Sequence, residues 1–344
     1  MKTELIIGLT IIVLVSAGLG FLLLSSPDAE MRETSGEQTR AYAEIVNPSG
    51  FVNTDSITIG ELVGKKVIVV DFMTYSCINC QRTFPYVVAW YEKYKDHGLE
   101  VVGIHTPEFA FEKDISNVRA AMERFGITYP VVLDNEYATW NAYGNRYWPR
   151  KYLIDIHGNI VYDHIGEGAY EETEQKIQEL LEERGAVLGA GGDIRTDIAA
   201  PAGAVAVEAA AARSPEIYFG ALRNALLGNG AASSVGTQDL SVPAEQQSNI
   251  LYLGGRWRIA DEFAENESGQ AKIAFRYQGR NVYFVAGSES GAPIRIFRDG
   301  AFAGERTIRD HTLYTLIEDT EPGEHLLEII IDQPGLRAFT FTFG

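Results

Sequence analysis

The two cysteines of this 344-residue chain are separated by two residues, as Cys77 and Cys80 in the segment DFMTYSCINCQRTFP. A structural zinc site needs about four ligands, with a second ligand pair at regular spacing, and the chain holds no further cysteine. A c-type haem is attached where histidine directly follows the second cysteine, and Gln81 stands there. A static structural disulfide would close so short a loop that it would remove little entropy from the unfolded chain. The pattern therefore favours a dithiol that forms and breaks a disulfide reversibly, over zinc and over a static bridge.

The elements around the cysteines set their predicted roles. The run VIVVDF at 67–72 is typical of a buried strand, and the apolar pattern over 78–96 predicts a helix. Cys77 then lies at the helix amino terminus, where unpaired N–H groups and the helix dipole stabilise a thiolate and lower the pKa of a cysteine from about 8.5. We predict that Cys77 attacks a disulfide and that Cys80, one turn further and more buried, resolves the product. Asp71, on the strand beneath the pair, is the predicted proton carrier, because burial raises the pKa of a carboxyl group.

Strands and helices alternate along the chain from about residue 44 to residue 184. This order predicts a mixed α/β sandwich. Besides the strand and helix that flank the cysteines, we predict strands at 99–104, 151–156 and 160–165 and helices at 114–126 and 171–185, the helices each ended by glycine.

The composition changes after residue 185. Residues 186–213 are dominated by Ala and Gly, and we predict a linker there whose Ala-rich end is partly helical. Alternating apolar runs separated by Gly- and Asp-containing turns follow, and they predict an all-β sandwich over 214–344. These runs lie at 271–277, 281–287, 293–299, 312–318, 326–331 and 338–343.

The amino-terminal residues predict a membrane anchor. Residues 5–24 form an uncharged run of 20 residues, which as a helix spans roughly 30 Å, the hydrocarbon thickness of a bilayer. We predict a transmembrane anchor or uncleaved signal over 1–26 and a polar tether over 27–43, with a cleaved signal as the alternative. Either case places the rest of the chain on the extracytoplasmic side of the cell membrane. The net charge of −18 argues against a nucleic-acid partner, since phosphate binding requires a basic surface.

The segment around the cysteines resembles thioredoxin. It combines a strand, Asp71, an aromatic residue, the two cysteines and then Pro85, and YGNRYWPRKYLIDIHGNI at 143–160 resembles the thioredoxin stretch in which a cis-proline precedes a hairpin. The resemblance implies that Pro85 kinks the active-site helix and that Pro149 is the cis-proline beside the cysteines. It also implies that the backbone of Trp148 binds client polypeptide, with Ser76 part of the same surface.

Longer motifs are similar to one branch of that family. TYSCINCQRTFPYV, GIHTPEFAFEKDISNVRAAM and YPVVLDNEYATWNAYGNRYWP resemble the DipZ thiol:disulfide interchange proteins, relatives of the membrane-anchored TlpA and ResA reductases. Residues 214–344 resemble the carboxy-terminal β domain of DipZ, a jelly roll similar to carbohydrate-binding modules. The resemblance implies a thioredoxin-like domain over 44–185. Two departures stand out: a single apolar run precedes it where DipZ has a CcdA-type electron-transporting membrane domain, and Met73 stands where the family usually has tryptophan.

Four polar residues flank the predicted site. His105 and Glu108, in the motif HTPEFAFEKD, are candidates to tune the thiols or to contact a partner. The alternative is that His105 merely ends a strand and that Glu108 is solvated. Arg146 and Arg150, on either side of Pro149, are candidates for an electropositive rim.

These features predict a membrane-tethered thiol:disulfide oxidoreductase, acting as a reductase on extracytoplasmic protein clients. We expect no cofactor beyond the Cys77–Cys80 disulfide, no metal, and electrons from a membrane donor such as a CcdA-like protein. A thiol peroxidase is one alternative, because Thr74 and Cys77 form half of a T-x-x-C pattern, although Val70 replaces the expected proline. Another is a surface module that binds glycan or protein and carries the redox domain as a passenger. Its candidate sugar-stacking aromatics are Tyr252, Trp257, Tyr277, Tyr283 and Phe297.

Overall fold

A mixed β-sheet of seven strands frames the amino-terminal domain. The computed structural model describes residues 40–190, 192–204 and 213–344, which form one compact unit. The strands of this sheet are β1 (Arg40–Ala41), β2 (Gly50–Val52), β3 (Val67–Met73), β4 (Leu99–His105), β5 (Val131–Leu133), β6 (Arg150–Ile154) and β7 (Asn159–Ile165). Their order is β1-β7-β6-β3-β4-β5-β2. The neighbours β3, β4 and β5 run parallel, and the remaining pairs are antiparallel.

Helices cover both faces of this sheet. Those in the described part of the domain are α1 (Ile59–Leu62), α2 (Ile78–Tyr94), α3 (Ile115–Arg124), α4 (Ala138–Ala142) and α5 (Tyr170–Leu188). The pleat of β3 sends alternate side chains to opposite layers. Val69 and Met73 pack in the core formed with α2, α3 and α5, whereas Val70 and Phe72 pack in the core formed with α1 and α4. The predicted α/β fold is confirmed.

Helix α5 is longer than the sequence predicted. The pattern indicated an end at Gly185, but this residue is buried inside the helix, which continues to Leu188. The helix ends instead at Gly189, whose φ of 61° lies in the left-handed region that terminates helices. Leu180 and Leu181 pack in the core just before Gly185, and such tertiary packing outweighs the roughly 1 kcal/mol that a helical glycine costs.

The described part of the predicted linker lies against the amino-terminal domain. Ile194 and Ala199 pack on the core of α2 and α5. The backbone N–H of Ala199 donates to the buried Glu174 at 2.7 Å, and Asp197 lies 3.6 Å from Lys93. Residues 192–204 are therefore held by packing and hydrogen bonds.

The carboxy-terminal domain is all-β, as predicted. Its strands are β8 (Ile217–Tyr218), β9 (Gly236–Leu240), β10 (Leu251–Ile259), β11 (Ala264–Asn266), β12 (Ala271–Gly287), β13 (Ala292–Arg298), β14 (Ala301–Ile308), β15 (Thr312–Ile331) and β16 (Arg337–Phe343). The runs 271–277 and 281–287 form the single strand β12, and 312–318 and 326–331 form β15. A register shift between Gly279 and Asn281 lets β12 continue where the sequence pattern indicated a turn. The first half of β12 pairs with β10 and the second half with β16, within one nine-stranded sheet.

The two domains contact each other through an aromatic cluster. Phe109, from the segment after β4, lies 5.1 Å from Phe339 of β16, measured between ring centroids, and both are buried. Polar contacts surround this cluster: Ala110 N–H donates to Glu262 at 2.8 Å, and Arg82 of α2 donates to the Tyr283 hydroxyl at 3.0 Å. Segments close to the cysteines are thus fixed by the carboxy-terminal domain.

The predicted anchor over 1–26 and all but the end of the predicted tether lie outside the described residues. Within residues 40–190, 192–204 and 213–344, no helix combines the length and apolar character that a membrane span requires.

Candidate active site

The two cysteine thiols lie at the start of α2 and differ in exposure. Cys77 is the N-cap of the helix, with extended backbone angles, and is half-buried. Cys80 lies one turn further and is fully buried. Burial raises the pKa of the Cys80 thiol, and the neighbouring Cys77 sulfur raises it further. The structure therefore gives one thiol that solvent reaches and one whose ionisation needs a proton acceptor within the protein.

Asp71 lies beneath the cysteines, as predicted. The pleat of β3 places it on the same face as Val69 and Met73, in the layer that contains Cys80. Its side chain is fully buried, and neither carboxylate oxygen has a hydrogen-bond partner among the described residues. Burial raises the pKa of Asp71 to about 7, against the opposing charge of Lys151. The carboxyl group therefore changes protonation state near neutral pH.

Lys151 is a buried charged neighbour of Asp71 that was not among the predicted site residues. It stands opposite Asp71 in the antiparallel pairing of β3 with β6, and it is fully buried. Its ammonium group donates to the carbonyl of Gly166 at 3.2 Å. Burial lowers the pKa of Lys151, and the charge of Asp71 opposes this. Desolvation thus dominates at both members of the pair, so both pKa values move toward neutrality.

Glu112 holds the loop before Cys77 in place. It is fully buried and accepts hydrogen bonds from the hydroxyls of Thr74 and Ser76, at 2.5 and 2.7 Å. It also accepts from the backbone N–H groups of Ser76, Glu108 and Phe109, at 3.2, 2.6 and 3.0 Å. Burial raises the pKa of Glu112, and these donors oppose the rise. A single carboxylate therefore links the β3–α2 loop to the segment after β4.

Glu112 was not among the predicted site residues, because the local sequence pattern around it is a weak signal. The Phe109-x-x-Glu112 spacing is that of a capping box, in which a glutamate side chain returns to the backbone at the start of a helical turn. Such a box normally starts with Ser or Thr rather than Phe. The hydroxyl groups that donate to Glu112 lie more than 30 residues earlier in the chain, outside any local pattern.

Replacement of Glu112 by glutamine is expected to lower the free energy of unfolding by about 3 kcal/mol, because the amide nitrogen cannot accept the buried hydroxyl and N–H donors. Urea unfolding of the reduced protein measures this effect. Glu136→Gln is the matched control, since the Glu136 side chain is 77% exposed, and it should change stability by less than about 0.5 kcal/mol. Equal stabilities of the two variants would contradict the role assigned to Glu112.

Pro149 occupies the predicted position beside the cysteines, and the Trp148–Pro149 peptide bond is cis. The carbonyl oxygen of Trp148 lies 4.0 Å from the sulfur of Cys77. The indole N–H of Trp148 donates to Thr106 at 3.0 Å, which fixes the ring. Pro85 lies inside α2, and Met73 is buried in the core that contains Cys80.

Two predicted surface residues are engaged elsewhere. Ser76, predicted as part of the client-binding surface, is 2% exposed, because its hydroxyl turns inward to Glu112. Arg150, predicted at an electropositive rim, donates to Asp163 at 2.9 and 2.5 Å and lies over the ring of Tyr152. Neither side chain is free to meet a client.

His105 and Glu108 have different surroundings. His105 ends β4, is fully buried and stacks on Tyr75 at 5.6 Å, and burial lowers its pKa to about 3, so the ring is neutral. Glu108 is not solvated: it binds Arg223 at 2.8 Å and the hydroxyl of Tyr218 at 3.1 Å, both in the carboxy-terminal domain. Burial raises the pKa of Glu108 to about 7, and Arg223 opposes this. Glu108 is therefore bound within the chain by the second domain, and the alternative that it is solvated is wrong.

The exposed side of Cys77 opens into a cavity of about 440 Å³ between the two domains. Trp148, Tyr147 and the exposed Arg146 line it from the amino-terminal domain. Tyr218, Arg223 and Phe343 are among the residues that line it from the carboxy-terminal domain. A group that reaches the Cys77 sulfur therefore meets both domains.

The residues on which the peroxidase and sugar-binding alternatives depend are engaged in other contacts or buried. The hydroxyl of Thr74 donates to Glu112, away from the thiol pair. Trp257 and Tyr277 are buried in the β core, and Tyr252 and Tyr283 are at most 7% exposed. Four of the five aromatics considered for sugar stacking are therefore buried, which contradicts that assignment. In the described part of the chain, no group of three or more His, Cys, Asp or Glu side chains is placed to hold a metal ion.

Comparison with known proteins agrees with this architecture. The Redoxin family model matches residues 48–181, and the model described as Thioredoxin like C-terminal domain matches residues 214–344. The thiol-disulfide oxidoreductase ResA of Halalkalibacterium halodurans is 33% identical over 178 residues, which cover 51% of this chain and 91% of ResA. The chain belongs to the ResA family. The similarity extends over almost the whole length of ResA.

The similarity to DipZ extends beyond the domain shared with ResA. Protein DipZ of Mycobacterium bovis is 37% identical over 301 residues, 86% of this chain. The predicted resemblance to DipZ-type proteins is thereby confirmed, and this chain spans 42% of the length of that DipZ protein. Among solved structures, the solution structure of a thioredoxin-like protein in the oxidized form is 26% identical, with a TM-score of 0.40, covering 42% of this chain and 97% of that one.

Proposed function

We propose that this member of the ResA family is a thiol:disulfide oxidoreductase that reduces disulfides in extracytoplasmic proteins. Its proposed redox group is the Cys77–Cys80 pair, which cycles between dithiol and disulfide. The observation that carries this proposal is the pairing of a thiol open to a cavity with a fully buried thiol one helical turn away.

The proposed reaction has two exchange steps. The Cys77 thiolate attacks one sulfur of a client disulfide, so that the client S–S bond breaks, a mixed disulfide forms and the first client thiolate leaves. Cys80 then passes its proton to Asp71 and attacks the Cys77 sulfur. The second client sulfur leaves as a thiolate, and the Cys77–Cys80 disulfide forms. The client gains two electrons and takes up two protons from solvent, and the cysteine pair loses two electrons and two protons, one to solvent from Cys77 and one to Asp71 from Cys80.

Asp71 is suited to accept the Cys80 proton. A proton carrier works best with a pKa near the operating pH, and burial brings the pKa of Asp71 to about 7. Because its oxygens are unpartnered in the described structure, no hydrogen bond must be broken before the proton moves. Lys151 stabilises the carboxylate that results.

Before another client can be reduced, an electron donor must reduce the Cys77–Cys80 disulfide. We infer a membrane protein of the CcdA type, and a membrane anchor that keeps the chain close to it. The similarity to DipZ supports both inferences. The direction of exchange depends on relative reduction potentials, for which about 30 mV corresponds to about 1.4 kcal/mol.

Capture of clients by a Cys80→Ala variant tests this function. Without Cys80 the mixed disulfide on Cys77 has no internal thiol to release it, so we expect protein adducts that dithiothreitol removes. The Cys77→Ala/Cys80→Ala variant is the control and should capture nothing. The wild-type full chain should also show a reversible two-electron reduction potential. An absence of both adducts and a potential would refute the proposal.

A further inference from the structure

Two cavities adjoin beside Cys77 and extend along the boundary between the domains. The first, of about 440 Å³, contains Cys77, and the second has a volume of about 340 Å³. They share four lining residues, Glu108, Trp148, Tyr218 and Arg223. The structure thus offers a groove on both sides of Trp148 that suits a short stretch of extended polypeptide.

Within the described residues, the acidic side chains of the first cavity are paired, whereas two of its arginines are not. Its acidic residues are engaged: Glu108 binds Arg223 at 2.8 Å, and Glu216 accepts from the hydroxyls of Tyr218 and Thr342 at 2.7 and 3.3 Å. Two arginines remain, Arg146 from the loop before the cis-proline and Arg213, which directly precedes the carboxy-terminal domain. Each is exposed and has neither a carboxylate nor a hydrogen-bond acceptor within the described part of the chain.

These two guanidinium groups, unpaired in the described structure, bring positive charge to a cavity of an acidic chain. The chain has a net charge of −18, and most arginines of its described surface are paired with Asp or Glu, as Arg256, Arg258 and Arg295 are. Arg146 belongs to the amino-terminal domain, Arg213 directly precedes the carboxy-terminal domain, and both line the same cavity as Cys77. A ligand that binds both must lie across the groove, next to the reacting atom.

We propose that the client is selected by a carboxylate close to its disulfide cysteine, bound by Arg146 and Arg213. Guanidinium groups form strong, bidentate hydrogen bonds with carboxylates. Tyr147, which is 46% exposed, supplies apolar surface in the same cavity. The preferred partner is therefore an acidic segment of a disulfide-bonded protein, and the carboxy-terminal domain provides one wall of its binding site. This inference rests on the function proposed above.

The test uses the full-length chain and three disulfide-bonded peptides that differ only beside the cysteine, with Asp, Asn or Lys there. We expect kcat/KM for the Asp peptide to exceed that for the Asn peptide by about tenfold, the factor expected from one charge-assisted hydrogen bond. The Lys peptide should be the slowest. The overall negative charge of the protein repels acidic peptides, so this order is opposite to the one that net charge alone would give.

Substitution of single arginines tests which residues cause the preference for the Asp peptide. Arg146→Ala and Arg213→Ala should each lower the Asp-to-Asn ratio, and the double variant should bring it to about one. Arg306→Ala is the matched control, because Arg306 is an exposed arginine of β14 that does not line the cavity, and it should keep the ratio. Added salt should reduce the ratio in the wild type, since exposed charges are screened.

The outcomes separate this inference from the proposed function. If wild-type protein reduces all three peptides at equal rates, or if the double variant keeps the preference, selection by the two arginines is wrong while the oxidoreductase assignment stands. If no peptide is reduced by protein that carries both thiols, the proposed function itself fails.

Discussion

Replacement of Asp71 by asparagine is expected to slow the second exchange step by about 10²-fold to 10⁴-fold, the range that one positioned proton acceptor contributes. The Cys80 thiol is fully buried, and burial raises its pKa. Asparagine has nearly the same shape as aspartate but accepts no proton at neutral pH. The mixed disulfide on Cys77 should therefore form normally and accumulate.

Single-turnover mixing of the reduced protein with a disulfide-bonded peptide measures both steps. In the wild type the rate of the second step should rise with pH up to about 7, where Asp71 titrates, and then level off, whereas Asp71→Asn should lack this plateau. Asp155→Asn is the control, because Asp155 is also buried but accepts hydrogen bonds in the β6–β7 turn. Equal rates for wild type and Asp71→Asn would exclude Asp71 as the proton acceptor.

The same substitution should change the pH dependence of stability. The pKa of Asp71 is raised to about 7 in the folded protein, so between pH 4 and 7 the folded state holds a proton that the unfolded state has lost. Stability therefore falls as pH rises through this window, at about 1.4 kcal/mol per pH unit for one group. Asp71→Asn removes this loss. The free energy of unfolding of Asp71→Asn, relative to that of the wild type, should therefore increase by about 4 kcal/mol between pH 4 and pH 8.

Urea unfolding of the reduced proteins at several pH values tests this prediction. The titratable groups that act on Asp71 or feel its charge are Lys151, Cys80 and Tyr129, and all three remain in the variant. Asp155→Asn provides the contrast: it weakens hydrogen bonds at 2.9 and 2.7 Å to backbone N–H groups and should lose about 1–2 kcal/mol at neutral pH. Parallel stability profiles for wild type and Asp71→Asn would contradict the raised pKa.

Local sequence patterns identified the residues of the site whose positions depend on one element. The alternation in β3 places Asp71 in the same layer as Cys80, and one helical turn separates Cys77 from Cys80. The resemblance to thioredoxin supplied the cis-proline, which no local pattern distinguishes from an ordinary X-Pro bond. Each of these inferences required only a strand period, a helix period or a known motif.

The residues that were missed or misplaced depend on contacts between distant segments. Lys151 reaches Asp71 only because β6 pairs with β3 in one register, and a shift of one residue would point it to the other face. Ser76 precedes Cys77, yet Glu112, 36 residues further, turns it inward. The domain contact through Phe109 and Phe339 depends on how two complete domains pack. The two members of each pair are too far apart in the chain for a local helix or strand pattern to include both.

The segment that leads into the seven-stranded sheet forms both of its edge strands. Strand β1 pairs with β7 at one side, and β2 pairs with β5 at the other, so residues 40–52 close both margins of the seven-stranded sheet with strands of two and three residues. An enzyme that meets partly unfolded proteins risks recruiting them by β-strand addition, which needs a longer run of unpaired backbone. Strand β2 pairs with all three residues of β5 and leaves little template at that margin. Strand β1 covers only Asn159 and Ile160 of β7, so within the described residues the rest of β7 is the margin at which an unfolded chain is expected to add.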